Sequence, residues 1–380
     1  MTTSEKNLRI APPPTAPLDA YIAPDPYALW KEREGVPVIV DYAFEDLNAI
    51  ELGPWPRKGG RGAIINIPNN FLRTDSHVVE IRPGGKSEPE RHLYEEVVYV
   101  ISGRGATSVW LDEKEKQTFE WHEGSLFAIP LNACYQHFNG GAEPCRYLAV
   151  TNAPPMMRLF RDIDFIFNTP YLFRSRFKEA SYGGSGKLYQ KRVWESNFIP
   201  NAPDMGLYVD KARGTGINVQ LKMVQNNLNT HISEFPVGTY KKAHRHGPGA
   251  HLLILSGVGY SMLWVEGHEY RKADWKRGGM VIVPDDQCFH QHFNTGTVRA
   301  RYLALRGGDQ GFYPPMSAGG ESAASTSLTE GGWQIEYPDE DRRIHEIFEK
   351  ELTRNGAPCL MKAFSPWCTG EAGPTQARDT

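Results

Sequence analysis

Long apolar runs are missing from this 380-residue chain: no stretch approaches the roughly 18 consecutive apolar residues of a membrane-spanning helix. Basic runs are missing too. Lys and Arg total 42 against 45 Asp and Glu, a formal charge of -3, and they form no stripe that would track a phosphate backbone. Neither a membrane nor a nucleic acid is expected as a partner. Cysteine is scarce, and Cys134, Cys145, Cys288, Cys359 and Cys368 form an odd set without CxxC spacing, which argues against a disulfide framework and against a structural zinc knot. The start, polar from Met1 to Lys6 and followed by Pro12, Pro13 and Pro14, lacks a signal peptide's apolar segment. Reduced thiols and a cytoplasmic location are therefore expected.

What is present is an ordinary globular mixture, 40% hydrophobic and 23% charged, long enough for about two to three domains. Gly 37, Pro 28 and 11% aromatics favour a turn-rich, mainly β chain over a helical one.

The chain repeats itself at an offset of 154 residues. At that offset His77 meets His231, Glu80 meets Glu234, His92 meets His246, Ser102-Gly103 meets Ser256-Gly257, and Trp121 meets Trp275. After Pro130 and Pro284 one residue is inserted, and Gln136-His137-Phe138-Asn139 then meets Gln291-His292-Phe293-Asn294. A period this long means that two whole domains are repeated. Each copy shows short β-rich runs, such as 97–102, 108–111 and 126–130, with Gly-containing turns between them, the pattern of a β-sandwich or barrel.

The resulting division is an N-terminal arm over 1–60, a first barrel over 61–160, an aromatic-rich connection over 161–215, a second barrel over 216–312, and a linker and tail over 313–380. The tail holds a Gly/Ser/Ala-rich stretch, 317–332. One helix is predicted there over 339–355, with Ile344, Ile347, Phe348 and Leu352 on one face and Gly356 as its stop.

His244, His246, His251, His290 and His292, five of the six histidines within one 49-residue window, are candidates for a common purpose. Metal binding is the economical one. Residues i and i+2 of a strand share a face, so His244 and His246 can aim into a barrel, and a third imidazole from a later strand, His290 or His292, closes a facial triad. Such a triad leaves up to three positions open on the ion.

Gly238, His244-Arg245-His246, Gly257, Gly278, Pro284, His290 and Asn294 resemble the two signature motifs of the cupin superfamily. The resemblance is to a bicupin. It covers roughly residues 61–312 and implies an all-β chain of two jelly-roll (double-stranded β-helix) barrels, with the N-terminal arm and a short C-terminal helix outside them. Most cupins follow the His pair with a Glu ligand, where Ala250 stands here, and that loss is similar to the gentisate 1,2-dioxygenase group with its three histidines on Fe(II). The resemblance implies His244, His246 and His290 as ligands and His292 as a catalytic residue. That group carries an arginine at the place of Leu252, so gentisate itself is not the expected substrate. Lys241, Lys242, Arg245, Arg299 and Arg301 remain as anion contacts, although alternation turns Arg245 away from its neighbours.

Three further residues are candidates for the site: His231, on the strand leading into the motif; Arg245; and His251, which a bulge would have to turn toward the ion. In the first copy Glu90, His92, Glu96 and Tyr135, with His137 nearby, are the corresponding set. They form either a second divalent site or, the preferred reading, a relic hydrogen-bonded network. Glu95 is expected to face outward, and Cys288 to be an inert buried thiol.

Three neutral imidazoles leave the full charge on the ion, which favours a small anionic, chelating substrate such as a hydroxy acid or diol. The expected activity is a non-haem dioxygenase using O2 and a divalent metal, Fe(II) first and Mn, Ni or Zn as alternatives. Its rivals are a non-oxidative lyase, decarboxylase or isomerase on a small carboxylate, and a metabolite-binding bicupin without catalysis. A homodimer or homotetramer is implied by the resemblance.

Overall fold

The computed structural model describes residues 23–68, 73–178, 181–189, 193–209, 214–246, 249–284, 288–307 and 325–370. The first barrel is built from β1 (Val38–Val40), β3 (Gly53–Trp55), β4 (Gly60–Asn66), β5 (Asp75–Ile81), β6 (Glu96–Ser102), β7 (Arg104–Trp110), β8 (Gln117–His122), β9 (Leu126–Ile129), β10 (Cys134–Phe138) and β11 (Cys145–Thr151). β2 (Ala43–Phe44) leaves this set and is accounted for below. Strand residues such as Val97, Val98, Tyr99, Val100 and Ile101 are β-branched or aromatic and buried, as both faces of this sheet are covered. The larger sheet runs β1-β4-β5-β11-β6-β9, and the facing one β10-β7-β8.

The second barrel repeats this order with β13 (Val193–Glu195), β15 (Tyr208–Val209), β16 (Ile217–Lys222), β17 (Asn229–Phe235), β18 (Ala250–Ser256), β19 (Val258–Val265), β20 (Arg271–Lys276), β21 (Met280–Val283), β22 (Cys288–Asn294) and β23 (Ala300–Arg306). β12 (Lys187–Tyr189) adds an edge to β13, giving β12-β13-β16-β17-β23-β18-β21, and the facing sheet is β20-β19-β22. At the β6–β7 and β18–β19 corners Gly103 and Gly257 adopt φ of 82° and 89°. A Cβ there would lie 2.8 Å from the Cα of Cys145 or Ala300, which is why both copies keep glycine.

The repeat extends further upstream than the barrels expected from sequence. β1 pairs in parallel with β4, and β13 in parallel with β16; Val38 and Val193 stand 193 − 38 = 155 positions apart. The next short strands then cross over. β2 pairs with β21 of the second barrel, whereas β14 (Phe198–Ile199) pairs with β9 of the first. The 1–60 segment is thus not an arm lying over one barrel, because its described part supplies strands to both. The 161–215 segment likewise joins both sheets and is more than a spacer.

Helices are confined to connections. α1 (Pro26–Glu34) starts at an Asp25 cap and buries Tyr27 and Trp30; α2 (Ala153–Phe160), α3 (Ile163–Asn168) and α4 (Arg174–Lys178) follow the first barrel. α5 (Arg342–Asn355) is the helix predicted near the C-terminus, starting three residues later at an Asp341 cap and ending at Gly356. The outward faces of β18, β21 and β23, through Leu253, Leu255, Met280, Ile282, Leu303 and Leu305, share one apolar cluster with the first barrel. The first half of the Gly/Ser/Ala-rich 317–332 stretch, 317–324, lies outside the described residues. Its end does not trail away but packs on the second barrel. Among the described residues, no helix is long and apolar enough to cross a membrane.

Glu95 does not face solvent as expected. It is 3% exposed, pairs with Arg176 and accepts the backbone N–H groups of Asn227 and Leu228, so it ties the connection to the barrels.

Candidate metal centre

After β17 the chain turns at Gly238 and runs back along β22. The ligand-bearing segment is not the regular strand expected; it is held by isolated pairings on two sides. His244 and His290 exchange both backbone hydrogen bonds, at 3.1 and 2.9 Å. On the opposite edge Arg245 N–H donates to Trp333 O at 3.0 Å, and Ile335 N–H donates to Ala243 O at 2.9 Å. The C-terminal segment therefore grips the motif directly, a role with no signal in its composition.

This ribbon preserves the i, i+2 relation. The rings of His244, His246 and His290 lie 4.2–5.5 Å apart between centroids, and one nitrogen from each falls within 4.8 Å of the others. His244 Nδ1 faces Lys242 O at 3.2 Å and His290 Nδ1 faces Cys288 O at 3.3 Å. A carbonyl can only accept, so each Nδ1 carries a proton, and in the neutral ring each Nε2 would keep its lone pair. Neutral imidazoles so clustered would be the donor set that a divalent ion takes, with the carbonyl partners orienting His244 and His290.

The barrel beneath these rings holds a buried lysine that pairs with no carboxylate among the described residues. Lys241 is only 4% exposed and donates to Ser233 Oγ and to Tyr302 OH at 3.3 Å. His292 is buried beside Tyr302, with ring centroids 5.2 Å apart, and Ser261 Oγ lies 2.9 Å from its Nδ1 while also accepting Trp275 Nε1–H at 3.1 Å. Burial first, then the charge that His290, Lys241 and His231 would each set beside it, hold His292 well below the usual imidazole range. Leu252 and Ile254 belong to the apolar cluster that fills this barrel.

The other expected candidates scatter. His251 is buried with its pKa lowered to about 4 by desolvation; it alternates with Leu252 and shares the outward face of Leu253, so no bulge turns it to the ligands. Arg245 stacks on Phe289 at 4.7 Å and pairs with Glu266, outside the ligand group. Lys242 pairs with Glu336, and Arg299 and Arg301 pair with Glu234. His231 is half-buried beside Tyr302, 6.0 Å away, in the barrel but not among the clustered ligands. Cys288 is buried, with its thiol pushed up to about 11 by desolvation.

In the first barrel Glu90 and Tyr135 exchange backbone hydrogen bonds as His244 and His290 do. The centre of that site is taken by an ammonium that sequence reasoning missed. Lys58, 2% exposed and one residue before the Gly59 turn, donates to Glu90 and to Tyr135 OH at 3.2 Å, with Glu96 at 3.8 Å. His92 Nε2 lies 3.1 Å from Tyr135 OH and 3.4 Å from Glu96. Burial opposes charge on Glu90 and Glu96, but the ammonium outweighs it and holds both carboxyls below their usual range. His137 bonds Thr107 instead, at 2.8 Å, and desolvation lowers its pKa to about 4. Glu90, His92 and Glu96 also bring one donor atom each within 4.8 Å of the others, so the same residues that form this network are those a second divalent site would use.

Fold and repeat together define a two-barrel protein in which one barrel presents clustered histidines and the other an internal ion pair. Residues 77–151 match the model of the cupin domain, so the first barrel is a cupin domain; the second barrel repeats its strand order, a two-barrel arrangement like that of a bicupin. Solved structures with a similar chain path include a mutant of the Bacillus subtilis oxalate decarboxylase OxdC, 14% identical over 72% of this chain and 78% of that one with a TM-score of 0.48. A deletion mutant of the same enzyme is 15% identical over 71% and 78%, also with a TM-score of 0.48. No curated protein matches the chain.

Proposed function

We propose that the C-terminal barrel is a metal-dependent enzyme site that holds a divalent ion on His244, His246 and His290 and takes a small anionic substrate able to chelate it. One observation carries this reading: Lys241 is buried in this barrel and, among the described residues, pairs with no carboxylate, whereas the first barrel balances Lys58 with Glu90 and Glu96. A buried positive site without its counter-charge is complete only when an anion enters.

The bound ion supplies Lewis-acid polarisation of a carboxylate or carbonyl oxygen. Lys241 neutralises the substrate's charge. Ser261 orients His292, whose low pKa keeps it neutral and able to accept a proton. Non-oxidative lyase or decarboxylase chemistry on a small carboxylate asks of the site only what these residues supply, and is the reading placed first. Dioxygenation, which the resemblance suggests, asks in addition for redox-active iron and O2; a facial histidine set leaves room for a bidentate substrate and O2 together.

The deciding experiment is metal analysis of the full chain with and without His290→Ala, followed by turnover of small carboxylates and hydroxy acids with and without air. Near one barrel metal per chain, lost in the variant, with turnover unchanged under anaerobic conditions supports the first reading. Turnover that stops without O2 selects the second, and a parent chain that takes up no metal in the barrel overturns both.

A further inference from the structure

A second cluster of metal-type donors lies at the C-terminus, outside the barrel site. α5 places His345 and Glu349 one turn apart on one face, so that His345 Nε2 and Glu349 Oε1 are 3.1 Å apart. The tail that follows folds back over the helix and brings Cys359 Sγ to 4.0 Å from His345 Nε2 and 3.1 Å from Cys368 Sγ, both thiols being free. One donor atom from each of the four residues lies within 4.8 Å of the other three. For a tetrahedral zinc ion with bonds of about 2.0–2.3 Å, donor-to-donor edges come to roughly 3.3–3.8 Å, the middle of the range seen here.

The surrounding bonds fix which atom of His345 faces the cluster. Tyr240 OH donates to Glu340, so toward His345 Nδ1, 3.1 Å away, it can only accept. Nδ1 therefore carries a proton, and in the neutral ring it is Nε2 that would offer its lone pair toward the carboxylate and the two sulfurs. Each of the four residues thus has an atom that can offer an electron pair to an ion here, the two thiols releasing their protons when one binds. His345 is 1% and Cys368 7% exposed, while the Glu349 side chain at 39% leaves a path for an ion.

We propose that His345, Glu349, Cys359 and Cys368 bind a structural Zn2+ ion that clamps α5 and the tail onto the second barrel. Two thiolates, an imidazole and a carboxylate in a closed tetrahedral set select zinc over the hard cations. The ions differ between the two sites: the barrel offers three imidazoles and open positions, the tail four ligands and none. The clamp has a defined load. Leu360 N–H donates to Gly238 O at 2.8 Å, and a Cβ on Gly238 would lie 1.9 Å from Pro358 O, so the tail rests directly on the turn that launches the His244 segment. Spacing rules for zinc knots miss this site because half its ligands come from a helical i, i+4 pair and the cysteines are nine residues apart.

The test uses the full chain loaded with Co2+ after chelation, with Zn2+ content measured in parallel. A thiolate-to-cobalt charge-transfer band is expected in the parent and in His290→Ala, and is expected to vanish in the Cys359→Ser, Cys368→Ser double variant, with the Zn2+ content falling by one per chain. Should that variant fail to fold, Glu349→Gln on the half-exposed helix face is expected to keep the fold and lower zinc affinity by about 10- to 100-fold in competition with a chelator. The proposal is overturned if the parent shows no charge-transfer band, if zinc content is the same in the cysteine variant, or if the native mass is two hydrogens light, which would mean a disulfide. Because His290→Ala removes only the barrel ion, failure here and failure of the barrel proposal are separable.

Discussion

The ammonium of Lys58 lies 3.2 Å from the hydroxyl of Tyr135, the residue that stands in the first barrel where His290 stands in the second. The two barrels thus solve one electrostatic problem in opposite ways: one fills its centre with a cation from its own chain, and the other gathers imidazoles there. Lys58→Met removes the charge that lets Glu90 and Glu96 stay ionised while buried. Breaking a buried pair from one side costs about 3–5 kcal/mol, so chemical denaturation should show a loss of that order, and the double change with Glu90→Gln should recover part of it. A loss within the ordinary surface range would mean that the ammonium is not buried as described.

Lys241 carries the corresponding charge in the second barrel without a carboxylate partner among the described residues. Lys241→Met is expected to leave the barrel metal in place, since among the described residues its ammonium bonds Ser233 and Tyr302 rather than a ligand, while raising KM for an anionic substrate by about 10- to 100-fold, the scale of one charge-assisted hydrogen bond of about 1.5–3 kcal/mol. Loss of metal along with substrate affinity would assign Lys241 to holding the ligand segment instead.

The doubled barrel was legible because strand patterns and turn glycines repeat at one offset, and the histidine triad because an i, i+2 pair and a later strand are local patterns. Lys58 was not legible: it precedes the window that the repeat defined, and a lysine beside a turn glycine ordinarily points to solvent. The exchange of β2 and β14 was hidden because two-residue strands carry no periodicity, and because pairing with the other barrel depends on where that barrel's edge lies. Glu95 was misread for a related reason. Alternation places it outside its own barrel, but outside that barrel lies the connection with Arg176.

Ser261 and Thr107 occupy matching places, each bonding a histidine and a tryptophan, His292 with Trp275 and His137 with Trp121. Because the arrangement survives in the barrel that lacks the histidine triad, it is first a feature of the fold. Thr107→Val and Ser261→Ala should each lower stability by about 1–3 kcal/mol by stranding two buried polar groups. Only Ser261→Ala is expected to lower turnover as well, by about tenfold or more, since it alone frees a ring beside the triad. Equal turnover in both variants would remove His292 from the chemistry.

Asp75 supplies a pH test away from either metal site. It is 1% exposed and accepts hydrogen bonds from Thr151 Oγ1 and, at 2.8 Å, from Tyr27 OH of α1. Burial outweighs these bonds and raises its pKa from 3.8 to about 6. A carboxyl whose folded value lies above its unfolded value favours the native state while protonated, so its contribution is complete below pH 4 and is lost as pH rises through 6. A shift of this size corresponds to about 3 kcal/mol. The difference in unfolding free energy between the parent and Asp75→Asn should therefore change by about that amount across the window, with the parent losing ground as pH rises. A difference independent of pH between 4 and 7 would show that Asp75 is ionised throughout, and that α1 is held by a charge rather than by a neutral acid.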